Sequence, residues 1–458
     1  MVASGLIVEP LPRTTASSAP ILYLVSIRRP SSPFFGRHEF LLFTVLGTQK
    51  RQGLLPMASL CWAQPTAATP RMLTLRHEAF AAHLAPSAEL AVLLVLELMR
   101  LKVLDSRPRA LEGQGVFSVS EGNRVVVVTG AGGFIGGSLV AALCSRGVPR
   151  IRAVDSKPFD QWYQRFDVEN LSLDLNLKEH CESAVRDASD VYNLAANMGG
   201  MGFIEQNKAL CMLSVLINTH MLQAALLHGV KRFFYSSSAC VYNGDKQKTF
   251  EPPSLKEEDA YPALAEDGYG WEKLFSERMC RHFREDFGLY TRVARFHNVY
   301  GPWGTWYGGR EKAPAAICRK VIEAKISGKH EIEIWGSGTQ TRSFMFIDDC
   351  IKGIDLIMSS DILDPINLGS SEAVTINQLV DIAEDIAGIK LKRIYNLNAP
   401  KGVNGRNSDN TLIRKYLNWE PNTPLHAGLQ KTYGWIYDQY RARERGEKGV
   451  VREASVAR

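Results

Sequence analysis

The chain has 458 residues, 45% of them hydrophobic, which allows two or three domains and a core large enough to need no disulfides. Its net charge of +6 is confined to the start: residues 1–110 carry 12 Lys/Arg against 6 Asp/Glu, and the rest balances at 42 of each, which gives no ground for a nucleic-acid partner. Eight cysteines, at 61, 144, 181, 211, 240, 280, 318 and 350, include no pair at zinc spacing, so neither a metal site nor a disulfide framework is expected, and they read as the reduced thiols of a cytoplasmic protein.

Residues 1–80 are rich in Pro, Ser, Thr, Ala and Arg and lack sustained periodicity. Segment 1–120 is therefore read as an extension, disordered or targeting; an organelle transit peptide, or an upstream read-through with Met57 or Met72 as later starts, are the alternatives. Residues 86–104 look helical and apolar, but Glu89, Glu97, Arg100 and Lys102 interrupt them. A membrane span needs about 20 nearly uncharged residues, so no membrane association is expected.

The run Val125-Val126-Val127-Val128-Thr129 reads as a strand buried on both faces. Gly130, Gly133, Phe134, Ile135 and Gly136 follow as a tight turn into a helix, where glycine lets the backbone approach a pyrophosphate and free N–H groups meet it. Asp155 comes nineteen positions after Gly136, at the end of the apolar run from Ile151 to Val154. A carboxylate there suits an adenosine ribose and repels a 2′-phosphate, which points to NAD rather than NADP.

Beyond it, apolar strands alternate with helices: a strand over 190–196, a helix over 207–228, a strand over 231–236, a helix over 268–287 and a strand over 290–296. This alternation predicts an α/β fold, a doubly wound parallel (Rossmann) sheet over 121–300 with a smaller C-terminal substrate-binding lobe over 301–440, some of whose segments return to the sheet. Residues 441–458 read as a charged, frayed tail.

Ser238 ends the strand that leads into Ala239-Cys240-Val241-Tyr242, and Tyr269 with Lys273 follows in YGWEK. Tyr and Lys at i,i+4 share a helix face. An ammonium near a phenol lowers its pKa from about 10, and the serine hydroxyl can hold the same substrate oxygen.

With TGAGGFIG, Asp155, Asp174-Leu175, NLAA, SSSACVY and YGWEK in place, residues 123–440 resemble the extended short-chain dehydrogenase/reductase family of nucleotide-sugar enzymes. The resemblance implies NAD, a redox triad of Ser238, Tyr269 and Lys273, Asp174 near the adenine, and a homodimer joined through a four-helix bundle built on the helices near 207–228 and 268–287. Dehydratases of the family carry a glutamate where this chain has Cys240, and 4-epimerases an unreactive residue. A thiol there, with MGGMGF, RFHNVYGPWGTW, GGREKAPAAICRK, QTRSFMFIDD and GRNSDN, resembles the branch that inverts carbons 3 and 5 of GDP-mannose.

That branch implies Cys240 and Lys312 as the acid–base pair and Arg342 and Arg406 at the diphosphate. It also implies Gly199, Ala239, Asn298, Glu311, Lys320 and Gln340 as further substrate contacts. Ser214, where many members have Asn, and Asn404, where arginine is usual, depart from the pattern. A 4-epimerase of UDP-sugars, which needs only the triad, and a non-catalytic NAD-binding scaffold are the competing readings.

Overall fold

A computed structural model of the chain describes residues 125–251 and 254–447, together with the backbones of five N-terminal strands and of Arg452–Ala454. The chain forms two units, 1–111 and 112–458.

In the first, strands Leu6–Pro10, Ile21–Ile27, Phe40–Val45, Ala58–Trp62 and Arg71–Thr74 pair antiparallel in sequence order. The reading of 1–120 as an extension, disordered or targeting, does not name these strands. Runs such as ILYLVSI and FLLFTV are almost continuously apolar, and a search for alternation passes over them. The apolar stretch 86–104 lies outside the described residues.

The second unit is built on a seven-stranded, all-parallel sheet. Its order is Ile366–Leu368, Tyr290–Phe296, Arg232–Ser238, Ala188–Asn193, Val125–Thr129, Ile151–Asp155 and Glu169–Ser172. The valine run is sandwiched: Val128 packs in one core with Leu139 and Val140 of helix Phe134–Ser145, and Val127 in another with Met221 and Leu222. The chain order reverses between Val125–Thr129 and Ala188–Asn193, and ligands bind at the carboxyl ends of strands at such a switch point. There Thr129 Oγ1 donates to Asn193 Oδ1 at 2.9 Å and accepts the amides of Leu194 and Ala195, both at 3.1 Å, which clamps the two strand ends.

Helix 207–228 of the sequence reading is divided into Lys208–Met212 and Ser214–Leu227, and a further short helix, Met201–Gln206, precedes it. Asn207 makes the first break, leaving helical geometry and donating its side-chain amide to the carbonyl of Phe203 at 2.9 Å. Ser214 accepts the amide of Asn197 at 2.9 Å, and Asn218, one turn on, pairs with Asn193 at 3.2 Å. Helix Asp267–Phe287 is continuous and ends at Gly288, whose φ of 73° is the left-handed conformation that glycine adopts freely.

The smaller lobe holds two short sheets. One pairs Glu331–Trp335 with Lys392–Asn396, and the other sets Thr341–Ser343 between Ala373–Thr375 and Gly405–Arg406. In the second, Arg342 and Arg406 are register partners on parallel strands, so the two side chains lie on one face.

The sequence reading sets the boundary of the charged tail at 441. Helix Leu425–Glu444 runs through it, with Arg441 and Glu444 paired at 2.9 Å, and Arg452–Ala454 pairs with Gln164–Phe166. Cations in a last helical turn favour the helix, so a charged sequence there is no sign of fraying.

Because residues 112–458 form a unit with its own core, a fragment beginning at Glu112 is expected to fold and to unfold within about 3 °C of the full chain, a difference of under about 1 kcal/mol. Calorimetry of both proteins measures this, and an insoluble fragment would refute it.

Candidate active site

Two cavities open at the carboxyl ends of the strands. The first, about 450 Å³, is lined by Gly130, Gly133, Phe134, Ile135, Gly136, Asp155, Asp174 and Lys273. The glycine turn has no room for side chains: a Cβ on Gly136 would lie 2.2 Å from the carbonyl oxygen of Gly130, and Gly130 itself has φ +69°. Asp155 accepts the amide of Lys157 at 3.0 Å, and Lys157 reaches back to the carbonyl of Gly132 at 3.3 Å. A cradle free of side chains, beside a carboxylate at the next strand end, fits a dinucleotide diphosphate and its ribose.

The second cavity, about 250 Å³, is lined by Ala239, Cys240, Glu266, Asn298, Glu311, Lys320, Gln340, Arg342 and Arg406. The two share Met198, Gly199, Ser238, Tyr269, Phe296 and Lys312. The groups proposed for redox and for proton transfer therefore stand at one junction.

The junction is built by close packing. The amide of Glu266, the residue before helix Asp267–Phe287, donates to the carbonyl of Cys240 at 2.9 Å. A Cβ on Gly270 would lie 2.3 Å from that same oxygen, so only glycine lets the helix approach. Ser238 Oγ accepts the amide of Cys240 at 3.2 Å. The Lys273 ammonium is 2% exposed, 4.8 Å from the centre of the Tyr235 ring and 5.6 Å from that of Tyr269, with Glu272 Oε2 at 3.6 Å. Glu272 is fixed in turn by the Tyr235 hydroxyl at 2.9 Å and Ser276 at 3.0 Å.

Burial pushes the Tyr269 phenol well above its ordinary pKa, Cys240 and Glu272 add to this, and the Ser238 hydrogen bond opposes it. The lowering expected from Lys273 is thus outweighed in the chain alone. Burial also raises the Cys240 thiol, with Glu266 adding, against Arg406 and Ser238. It lowers the Lys312 ammonium, which Cys240 opposes. A thiol held up and an ammonium held down favour the uncharged pair, SH with NH₂.

Lys312 precedes helix Ala313–Ser327, which Pro314 helps to start. Its loop is wedged against MGGMGF. The amide of Gly200 donates to the Arg310 carbonyl at 3.0 Å, a Cβ on Gly200 would lie 2.4 Å from the Glu311 carbonyl, and the Arg310 guanidinium lies 3.9 Å from the centre of the Phe203 ring. Glu311 serves this loop, binding Arg319 and the Gly309 amide at 2.9 and 2.7 Å.

Arg342 donates to the carbonyls of Thr341, Lys401 and Val403 at 2.7, 3.1 and 2.5 Å, and burial with Arg406 alongside brings its guanidinium down to about 10. Arg406 does more than the sequence assigns it. Its Nη1 lies 3.5 Å from Cys240 Sγ, its Nη2 2.7 Å from Glu266, and its Nε 2.6 Å from Gln247. Two guanidinium groups in one buried cavity still favour an anion between them.

Gln340 keeps a buried Oε1 without a hydrogen-bond partner while its amide donates to Trp335 at 2.7 Å. Asn298 donates to Ser343 at 2.9 Å, and Lys320 to the Glu333 carbonyl at 2.9 Å, beside the exposed Trp335 ring. Asn404 is tied to the Lys248 carbonyl at 2.8 Å. Sequence reasoning passed over Glu266 and Trp335. Glu266 stands three residues before Tyr269, and that nearness was the available signal.

Residues 126–369 match the model of the NAD dependent epimerase/dehydratase family. The chain is 44% identical to the GDP-mannose 3,5-epimerase of Arabidopsis thaliana over 318 residues, 69% of this chain and 83% of that protein. It is 46% identical to GDP-mannose 3,5-epimerase 1 of Oryza sativa subsp. japonica over 315 residues, 69% and 82% of the two chains. Among solved structures, the UDP-glucose 4-epimerase of Thermotoga maritima, 23% identical, superposes with a TM-score of 0.62 over 69% of this chain and 99% of its own. MoeE5, solved with UDP-glucose and NAD, is 27% identical with a TM-score of 0.59 over 69% and 99%.

Gly136→Ala is expected to open the turn and abolish dinucleotide retention. The absorbance ratio at 260 and 280 nm of the purified protein, with mass spectrometry of the released nucleotide, reads the loss.

Proposed function

The chain belongs to the NAD-dependent epimerase/dehydratase family, and from that premise we propose that it inverts carbons 3 and 5 of GDP-mannose, giving GDP-L-galactose, through a transient 4-keto sugar. The observation that carries this reading is the junction of the two cavities, where Ser238 and Tyr269 meet Cys240 and Lys312. NAD, held by the Gly130–Gly136 turn and Asp155, would supply reversible hydride transfer, which makes the reaction redox-neutral.

Ser238 and Tyr269 hold the oxygen on carbon 4, and it is the phenolate form of Tyr269, favoured by the Lys273 ammonium beside the ring once the site is filled, that takes the hydroxyl proton as carbon 4 becomes a ketone. The ketone acidifies the hydrogens on carbons 3 and 5. Inversion then needs a base on one face and an acid on the other, and Lys312 and Cys240 supply them within one cavity. Arg342 and Arg406, register partners that both line the cavity, are the cations assigned to the diphosphate in this reading. A 4-epimerase would need the triad alone and leaves the Cys240–Arg406 contact and the wedged Lys312 loop without a purpose.

We further infer a homodimer. Segment Lys208–Leu227 is long and apolar enough, by composition alone, to cross a membrane. Its inner side packs on the sheet through Ile217, Met221, Leu222 and Ala225. Leu213, Leu216 and Leu227, with Trp271 and Phe275 of the next helix, remain exposed. An apolar outer face over a packed inner one suits a second copy of the chain, and the buried Asn193–Asn218 pair suits a folded core rather than lipid. Light scattering at micromolar concentration is expected to give the dimer mass, and a stable monomer would exclude it.

With GDP-mannose in D₂O, wild type is expected to place deuterium at carbons 3 and 5. Cys240→Ala and Lys312→Ala are expected to slow this about 10²–10⁴-fold, the usual scale for losing one general acid or base. Both variants keep bound NAD and transient NADH absorbance, whereas Tyr269→Phe blocks the redox step itself. Sugar proton NMR measures the exchange, and a Cys240→Ala enzyme exchanging at the wild-type rate would favour the 4-epimerase.

A further inference from the structure

Cys240 is surrounded on every side. Glu266 and Tyr269 face it from helix Asp267–Phe287 and the residue before it, Arg406 and Arg342 from the small sheet, and Lys312 and Cys211 from the loop and helix across the cavity. Of these, Glu266 meets it in two ways. Its backbone amide holds the Cys240 carbonyl at 2.9 Å, and its carboxylate shares Arg406 with the sulfur, at 2.7 Å to the carboxylate and 3.5 Å to Sγ.

We propose that Glu266 is a positioning residue for the acid–base step: it keeps the hydrogen on Cys240 and balances Arg406, so that Cys240 enters the reaction as proton donor and Lys312 as acceptor. The proposal deepens the role given to Cys240 above and rests on it.

The charges explain why such a residue is needed. Arg406 beside Cys240 without a carboxylate would pull the thiol toward thiolate, the wrong form for a donor. With Glu266 present, the guanidinium is already neutralised, and Glu266 itself is held below the usual carboxylate range by Arg406 despite its burial. When the substrate carbon takes the proton, the S–H bond breaks and its electron pair stays on sulfur. The thiolate is then left 3.5 Å from a guanidinium that can share its charge with it. Meanwhile Lys312 holds the proton taken from the opposite face of the carbon, so one proton is gained and one lost at that carbon, and proton exchange with solvent returns the pair to SH and NH₂ before the second inversion.

The test reads the thiol directly, without substrate. The full-length protein is alkylated with iodoacetamide from pH 6 to 10, and modification at Cys240 is followed by peptide mass spectrometry, with Cys240→Ala as the blank. In wild type the midpoint is expected above the ordinary thiol value of about 8.5. In Glu266→Gln, which keeps the shape and removes the charge, it is expected to fall by about one unit or more, the usual effect of one close charge. Cys240 alkylation at pH 7 then rises about tenfold for each unit of that fall. Deuterium exchange at carbons 3 and 5 is expected to drop in Glu266→Gln while NAD content and transient NADH stay at the wild-type level.

A wild-type midpoint at or below the ordinary value overturns the proposal, even if the variant does not fold. So does an unchanged midpoint in folded Glu266→Gln. If instead the midpoints behave as stated but Cys240→Ala exchanges normally, Glu266 still governs the thiol and it is the catalytic reading of Cys240 that fails.

Discussion

The carbonyl oxygen of Cys240 accepts the amide of Glu266 at 2.9 Å, and a methyl group on Gly270 would stand 2.3 Å from the same atom. At that point the end of strand Arg232–Ser238 meets the start of helix Asp267–Phe287 with nothing between them. Ser238 and Cys240 come from the strand side of the contact, and Tyr269, Lys273 and Glu266 from the helix side. Any residue larger than glycine at 270 would part the two sets. The buried pairs behind them keep the helix from sliding: Glu277 binds Arg295 at 2.8 Å and Ser237 at 2.5 Å, and Glu272 binds Tyr235. Such pairs are worth less as stability than as register, since each fits only one placement of helix on strand.

What the sequence disclosed was whatever lies close along the chain. The valine run, the glycine turn and Asp155 sit within about thirty residues, and their spacing reflects a strand, a turn and a strand with fixed dimensions. Tyr269 and Lys273 are legible for the same reason, being one helical turn apart. Arg406 could be named as a cavity residue from its motif, but its contact with Glu266 spans 140 positions and leaves no periodic trace. The wedge of Gly200 against Glu311 was hidden likewise, though MGGMGF was visible as a motif. The N-terminal strands are hard to read for another reason. Two of them, Ile21–Ile27 and Phe40–Val45, are almost continuously apolar, and neither the period of two nor that of 3.6 stands out there.

Burial sets the sign of the chemistry throughout the junction. It opposes charge on a phenol, a thiol and an ammonium alike, and it leaves Tyr269, Cys240 and Lys312 biased toward their neutral forms. Of the charged groups nearby, Arg406 is paired with Glu266 and Arg342 donates to backbone carbonyls, and the two guanidinium groups, register partners, repel each other across one strand spacing. A diphosphate relieves that repulsion. The attraction for substrate is therefore concentrated at the part of it that does not react, and the reacting sugar meets groups that can still gain or lose a proton.

The seam between Gly200 and Glu311 has a consequence for how this chain can vary. The two loops are about 110 residues apart in sequence, yet the Arg310 carbonyl bonds one and the Phe203 ring supports the other. A deletion or a bulky replacement on either side alone moves Lys312. In descent, then, the pair behaves as one inherited character: tolerated changes at 199–203 are those matched at 309–312, and shuffling either loop in from a distant relative without its counterpart yields a protein with a whole sheet and a misplaced amine.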